Sequence, residues 1–229
     1  MVQQSAKQLL ASFFDHYPLR SYKKGEIIIF QGEEPRSAFV VKNGIVKAYN
    51  LSSSGDEKPV AFYEAGRIFP EAWTYSKLPS AIYYYEAFSD RVDMFLVPRD
   101  EYVGFIKSNP QLLYQELEHF IVDQVGRSMR LNALQHSRAS DKLVYTLHYL
   151  AHSHGKRINH NLFEIELALT HQDFANLTGL TRETAATELN KLKHLGVISY
   201  GKRMPYKIKL DKLVALLNDQ FIAELEIRL

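Results

Sequence analysis

Cysteine is absent from the 229-residue chain. That one absence excludes disulfides, thiolate zinc sites, cysteine nucleophiles and cysteine-ligated iron–sulfur clusters. Long apolar runs are missing too: no stretch approaches the roughly 18 uncharged residues that a membrane helix needs. The N-terminus lacks the basic-then-apolar order of a secretory signal. A cytoplasmic protein without a membrane partner is therefore expected. No phosphate-cradling P-loop, nucleophile elbow or dinucleotide glycine fingerprint occurs. Glu33, Glu34 and Glu71 have no acid or base companion in the sequence, so an enzyme is not expected. Strong net charge is also lacking, with 28 Lys+Arg against 26 Asp+Glu. What is present is ordinary folded material: 46% apolar and 24% charged residues, at a length suited to two compact domains.

The small positive excess is unevenly spread. Through Ser137, 15 basic residues meet 16 acidic ones, whereas from Arg138 onward 13 meet 10. Between Arg182 and Lys212 eight basic side chains stand against three acidic ones. A local surplus of this kind points to a polyanion partner.

Residues 1–21 read as a helical lead-in, with Leu9, Leu10, Phe13 and Phe14 at helical spacing and Pro18 as its stop. From 22 to 104 the apolar period becomes two. Strand-like runs (26–30, 38–41, 45–51, 60–63, 82–88 and 92–97) alternate with turns at Gly25, Gly32, Asn43-Gly44, Ser54-Gly55-Asp56 and Gly66. Short strands at this density without helices between them predict an antiparallel sandwich or barrel. Asn109-Pro110 opens a long helix. Along it Leu113, Leu117, Phe120, Gln124, Arg127, Leu131 and Leu134 keep the 4-3 spacing of a coiled-coil seam. Tyr114, Ile121 and Val125 add a second stripe, so the helix is expected to face both its own domain and a second copy of the chain. The expected layout is a sandwich over 1–108, a dimerisation helix over 109–137 and a further domain over 138–229, an α+β protein overall.

The most informative stretch is 169–184. Thr170 with Asp173 three residues on resembles a capping box, and Gly179 suits a left-handed helix end. Thr181 then caps a second helix running to about His194. Helix, short glycine turn and helix at this spacing form a DNA-binding helix-turn-helix. Ala185, Leu189 and Leu192 mark the buried face of the second helix. Arg182, Glu183, Thr187 and Asn190 are left outward as candidate base readers. Arginine can fork onto guanine, and glutamate can accept from cytosine N4. Residues 197–200 and 206–210 predict a basic β-hairpin wing after the helix. Its Lys202 and Arg203, with Thr170, Gln172 and Thr181, are candidate contacts to the DNA backbone. A protein-interaction or ligand-sensing module without DNA readout is the competing reading.

The order sandwich, long helix and winged helix-turn-helix carries Leu169-Thr170-x-Gln172-Asp173, Thr178-Gly179-Leu180-Thr181-Arg182-Glu183-Thr184 and a later Leu-x-x-Leu-x-x-x-Gly-x-Ile. Lys24-Gly25-Glu26, Gln31-Gly32-Glu33 and Asn43-Gly44-Ile45-Val46-Lys47 accompany it. Together these resemble the CRP/FNR family of bacterial transcription regulators. The resemblance implies a cyclic-nucleotide-binding-like jelly roll, a homodimer on double-stranded DNA and contact with RNA polymerase. It places Arg182 and Glu183 on base-reading positions, and Thr170, Gln172, Thr181 and Lys202 on backbone contacts. One departure matters. Thr187 stands where a second arginine is usual, and threonine cannot fork onto guanine. A half-site other than the familiar TGTGA is therefore expected.

In members that bind cyclic nucleotides, a Phe-Gly-Glu stretch is followed about ten residues later by Arg-Ser/Thr-Ala. This chain has Phe69-Pro70-Glu71 and then Pro79-Ser80-Ala81. Glu71 could still hold a ribose hydroxyl, but Pro79 removes the guanidinium–phosphate pair. Lys77 offers a point charge only. No cofactor is expected, cyclic AMP is not the expected effector, and the effector is left open. Phe62, Glu71, Trp73, Lys77, Ser80 and Tyr83 mark a candidate effector pocket in an aromatic-rich region. Two alternatives stand: the rings close the pocket, or they hold an apolar effector. His148, His152, His154 and His160 have partly metal-compatible spacing but are read as exposed loop residues, and no metal site is expected.

Overall fold

The computed structural model describes residues 6–201 and 205–217. Its contacts divide the chain into two units, Met1–Glu118 and His119–Leu229. The first begins with helix α1 (Ala6–Phe14), whose Leu9, Leu10 and Phe13 pack against a buried cluster containing Phe14. The helix stops before Pro18. Residues 19–21, read as part of the helical lead-in, instead begin strand β1 (Leu19–Lys23). Only Tyr22 of its five side chains is buried, so no alternation betrayed the strand.

Among the described residues, eight strands build the first unit. After β1 come β2 (Ile27–Ile29), β3 (Ala38–Asn43), β4 (Val46–Leu51), β5 (Glu57–Tyr63) and β6 (Ile68–Phe69). A short helix α2 (Glu71–Thr74) precedes β7 (Tyr84–Ala87) and β8 (Arg91–Val97). They form two antiparallel four-stranded sheets, ordered β1-β8-β3-β6 and β2-β7-β4-β5. Between the sheets lie Tyr22, Ile29, Phe39, Val41, Val46, Tyr63, Phe69, Tyr85 and Met94, all buried. The Asn43-Gly44 turn is tight: Gly44 has φ 84°, and a Cβ there would strike the Arg91 carbonyl. Only glycine suits that position.

A helix absent from the sequence-based layout follows, α3 (Arg99–Ser108), burying Tyr102 and Ile106. Helix α4 (Pro110–Gln135) then starts at the predicted Asn109-Pro110 signal.

In the second unit, helix α5 (Ala139–His154) buries ten of its sixteen residues. Gly126 lets α4 approach it closely, because a Cβ at 126 would strike Ser153 Oγ. The histidine reading is corrected here. His148 and His154 are buried within α5 and His152 is half-buried, and only His160 is exposed. Histidine polarity misled, because α5 is covered on most of its surface. Burial, with a smaller contribution from neighbouring His152, pushes the His148 imidazole down to about 4.

Strands β9 (Gly155–Arg157) and β10 (Leu162–Ile165) come next. Helices α6 (His171–Thr178) and α7 (Arg182–His194) follow, then β11 (Ile198–Ser199), β12 (Lys207–Lys209) and α8 (Leu210–Val214). The four strands form one antiparallel sheet, ordered β11-β12-β10-β9.

Candidate nucleic-acid interface

Helix α6 is held at both ends by local chemistry. Thr170 Oγ1 accepts from the Asp173 N–H at 3.2 Å, and Asp173 Oδ2 accepts from the Thr170 N–H at 2.7 Å. That is the full capping box. At the other end Gly179 takes the left-handed φ of 68° and turns the chain. Thr181 then caps α7, its Oγ1 accepting from the Thr184 N–H at 3.2 Å. Ala185, Leu189 and Leu192 are buried beneath α7. Arg182, Glu183, Thr187 and Asn190 are exposed along its outer face. The predicted inward and outward assignments of α7 therefore hold residue by residue.

The backbone candidates divide. Thr181 and Gln172 are exposed, and the Gln172 amide donates to Asn176 at 2.9 Å. Thr170 is exposed too, but both its donors are spent: its hydroxyl and its N–H each point to Asp173 Oδ2, at 2.6 and 2.7 Å. A phosphate at Thr170 would compete with the cap. Lys202 and Arg203 lie outside the described residues.

The cationic surplus is partly engaged within the chain. Lys191 pairs with Glu188 at 2.6 Å and Lys207 with Glu164 at 3.5 Å. Lys193 donates to the Tyr200 carbonyl at 3.0 Å and Lys212 to that of Leu195 at 3.1 Å. Exposed bonds of this kind are worth little and yield readily to a phosphate, but a count of charges overstates what is free.

Two side chains at the base of the wing escaped sequence reasoning. The Tyr200 ring stacks on Tyr206 with centroids 4.5 Å apart, and His171 meets it edge-on at 5.6 Å. Lys193 Nζ lies 4.4 Å from the ring centre. The Tyr200 hydroxyl donates to Asn190 Oδ1 at 2.9 Å. Tyr200 was visible as part of a strand, but nothing in the sequence placed its hydroxyl on α7.

Comparison with known proteins matches both units. Residues 19–109 fit the cyclic nucleotide-binding domain, and residues 141–217 fit the Crp-like helix-turn-helix domain. The chain belongs to the CRP/FNR family. It is a helix-turn-helix DNA-binding transcription regulator of that type. It is 25% identical to the anaerobic regulatory protein of Haemophilus influenzae over 181 residues, covering 77% of this chain and 67% of the relative. The global nitrogen regulator of a Nostoc species is 24% identical over 198 residues, covering 86% and 87%. Among solved structures, FixK2 from Bradyrhizobium japonicum shares the fold with a TM-score of 0.67 at 21% identity, covering 89% of this chain and 98% of that one.

Within this CRP/FNR regulator, the candidate effector residues differ in burial, and one of them lies on the other face of its strand. Glu71 opens α2 and accepts from the Tyr63 hydroxyl at 2.8 Å. Phe62, one residue earlier on β5, faces the other way and packs against Phe88 with centroids 5.3 Å apart. Its place beside Glu71 is corrected, because successive strand residues point to opposite faces. Trp73 is buried, with the Arg99 guanidinium 5.1 Å from its ring. Lys77 is exposed, and Ser80 and Tyr83 are half-buried. Phe69 is wholly buried, with the rings of Phe39, Tyr63 and Tyr85 centred 5.1–5.4 Å away.

On α4 the seam residues Leu113, Leu117, Phe120, Gln124 and Leu131 are all exposed. Phe120 is 55% and Leu131 60% exposed. Within the second unit a groove of about 490 Å³ is lined by Phe120, Ile121, Gln124 and Val125, among others. No helix among the described residues is long and apolar enough to cross a membrane.

Proposed function

We propose that this regulator acts in the cytoplasm as a homodimer, each copy setting one α7 into the major groove of one half-site, without cyclic AMP as a gate. It carries no catalytic activity in this reading. The observation that carries it is the exposed apolar seam of α4 at 4-3 spacing, which a second copy covers by knobs-into-holes packing. Two recognition helices about one helical turn apart then read a two-fold site. Arg182 and Glu183, at the capped start of α7, enter the groove first. Thr181 and Gln172 hold the backbone, with Lys202 and Arg203 from the wing.

Two features support independence from cyclic AMP. Proline stands at 79 in place of the phosphate-binding arginine, and Glu71 is engaged by Tyr63. The contact to RNA polymerase is carried by family resemblance.

Sedimentation of the purified protein, with binding to selected duplexes across a salt series, tests the reading. A dimer whose affinity falls steeply with salt is expected. A monomer that binds equally at all salt concentrations overturns it. Calorimetric titration with cyclic AMP and cyclic GMP is expected to give no heat, and saturable heat overturns the ungated part.

A further inference from the structure

Asn190 sits on the exposed face of α7, two turns beyond Arg182. A free carboxamide at such a position is ambivalent. Presenting carbonyl and amino group together, it pairs with adenine N6 and N7, and rotated it offers either edge alone. Here it is not free to rotate. The Tyr200 hydroxyl donates to Oδ1 at 2.9 Å. Tyr200 in turn is clamped by stacking on Tyr206, by the edge of His171 and by Lys193, which contacts both its ring and its carbonyl oxygen. Tyr206 stands against Phe174 of α6 at 4.9 Å, so the clamp is anchored in the core beneath both helices. Burial raises the Tyr200 phenol above its ordinary value, which keeps the hydroxyl a donor at every working pH.

We infer that Tyr200 is a specificity-positioning residue: it draws the Asn190 carbonyl toward the base of the wing and leaves the amino group to face DNA, so that Asn190 reads as a donor. A donor seeks guanine O6 or N7, thymine O4 or, with a single bond, adenine N7, on the strand it faces. Adenine is disfavoured relative to guanine because its two-bond pairing is lost: the carbonyl needed for N6 is turned away, and only the single bond to N7 is left. This assignment rests on α7 being the reading helix.

The test is selection of bound duplexes from a pool with randomised half-sites, using full-length protein and the variants Tyr200→Phe, Asn190→Ala, Arg182→Ala and the Tyr200/Asn190 double variant. Phenylalanine preserves the ring packing, so Tyr200→Phe removes only the hydroxyl. The position read by Asn190 is the one whose preference flattens in Asn190→Ala, and the parent protein is expected to favour guanine or thymine there. Tyr200→Phe is expected to admit adenine at that position alone, reducing discrimination about three- to ten-fold, the range for one hydrogen bond. The double variant is expected to match Asn190→Ala. The inference is overturned if Tyr200→Phe weakens all sequences alike with the preference intact, or if the parent favours adenine at that position. If Arg182→Ala flattens a position and Asn190→Ala flattens none, Asn190 carries no readout while α7 stands as the reader. If neither variant flattens any position, the assignment of α7 itself fails.

Discussion

Arg182 and Thr187 share the outer face of α7 but offer a base edge different things. The guanidinium is a two-pronged donor, whereas the threonine brings one hydroxyl and one methyl. Replacing Arg182 with alanine is expected to cost about 1–3 kcal/mol on the preferred duplex and to relax one base position. Titration of matched and single-mismatch duplexes checks this; equal losses on all of them would remove Arg182 from the readout. His148 makes a second residue-scale prediction, and its sign follows from burial. The folded imidazole stays neutral down to about pH 4, while the unfolded one takes a proton near its ordinary 6.5. The unfolded state therefore binds more protons between those values, and stability falls as pH drops through that window. About 3 kcal/mol is at stake by pH 4. Urea unfolding from pH 7 to 4.5 measures it, and His148→Leu should flatten much of the slope. The residues of α7 were readable because an exposed helix sorts its faces by spacing. His148 was not, since nothing local says that α5 is covered nearly all round.

At the scale of elements, the parts that announced themselves were those whose ends are set by local chemistry. Thr170 with Asp173, Gly179 and Thr181 fix α6 and α7 within a few residues of each boundary, so the helix-turn-helix could be placed before any packing was known. Asn109-Pro110 did the same for α4. Strands β1 and β6 gave no such signal. One buries a single side chain of five, and the other is two residues long; each exists because a neighbouring strand supplies its partners. Helix α3 was hidden by its polar opening, Arg99-Asp100-Glu101, and by Gly104 within it. Phe62 was misplaced for a similar reason: proximity in sequence put it with Glu71, while the pleat of β5 turns it away from Tyr63, which bonds Glu71. The packing of α4 on α5 makes the prediction here. Gly126→Val would force its branched side chain onto Ser153 and is expected to destabilise the second unit by about 1–3 kcal/mol, the usual cost of overpacking. Thermal melting of the full chain checks it, and an unchanged midpoint would show that the helices separate at no cost.

Across the whole molecule, charge and apolar surface act together. The seam of α4 predicts that Leu117→Lys combined with Phe120→Glu drives the protein to monomers. DNA affinity should then fall at least ten-fold, because two half-sites are no longer held by one particle. Sedimentation velocity and binding titrations report the two effects, and an intact dimer in that variant would move the interface elsewhere. The two helices of the proposed DNA interface bring a further consequence. Helix α6 is closed at its start by the Thr170–Asp173 box and at its end by the Gly179 turn, and α7 is capped at its start. Neither needs the nucleic acid to complete it. Association therefore includes no ordering of these two helices, and its entropy is not burdened by their formation. The heat-capacity change on binding should accordingly match the apolar surface buried between rigid bodies, with no added contribution from folding. Calorimetry at several temperatures would register an excess if the helices assembled only on the duplex.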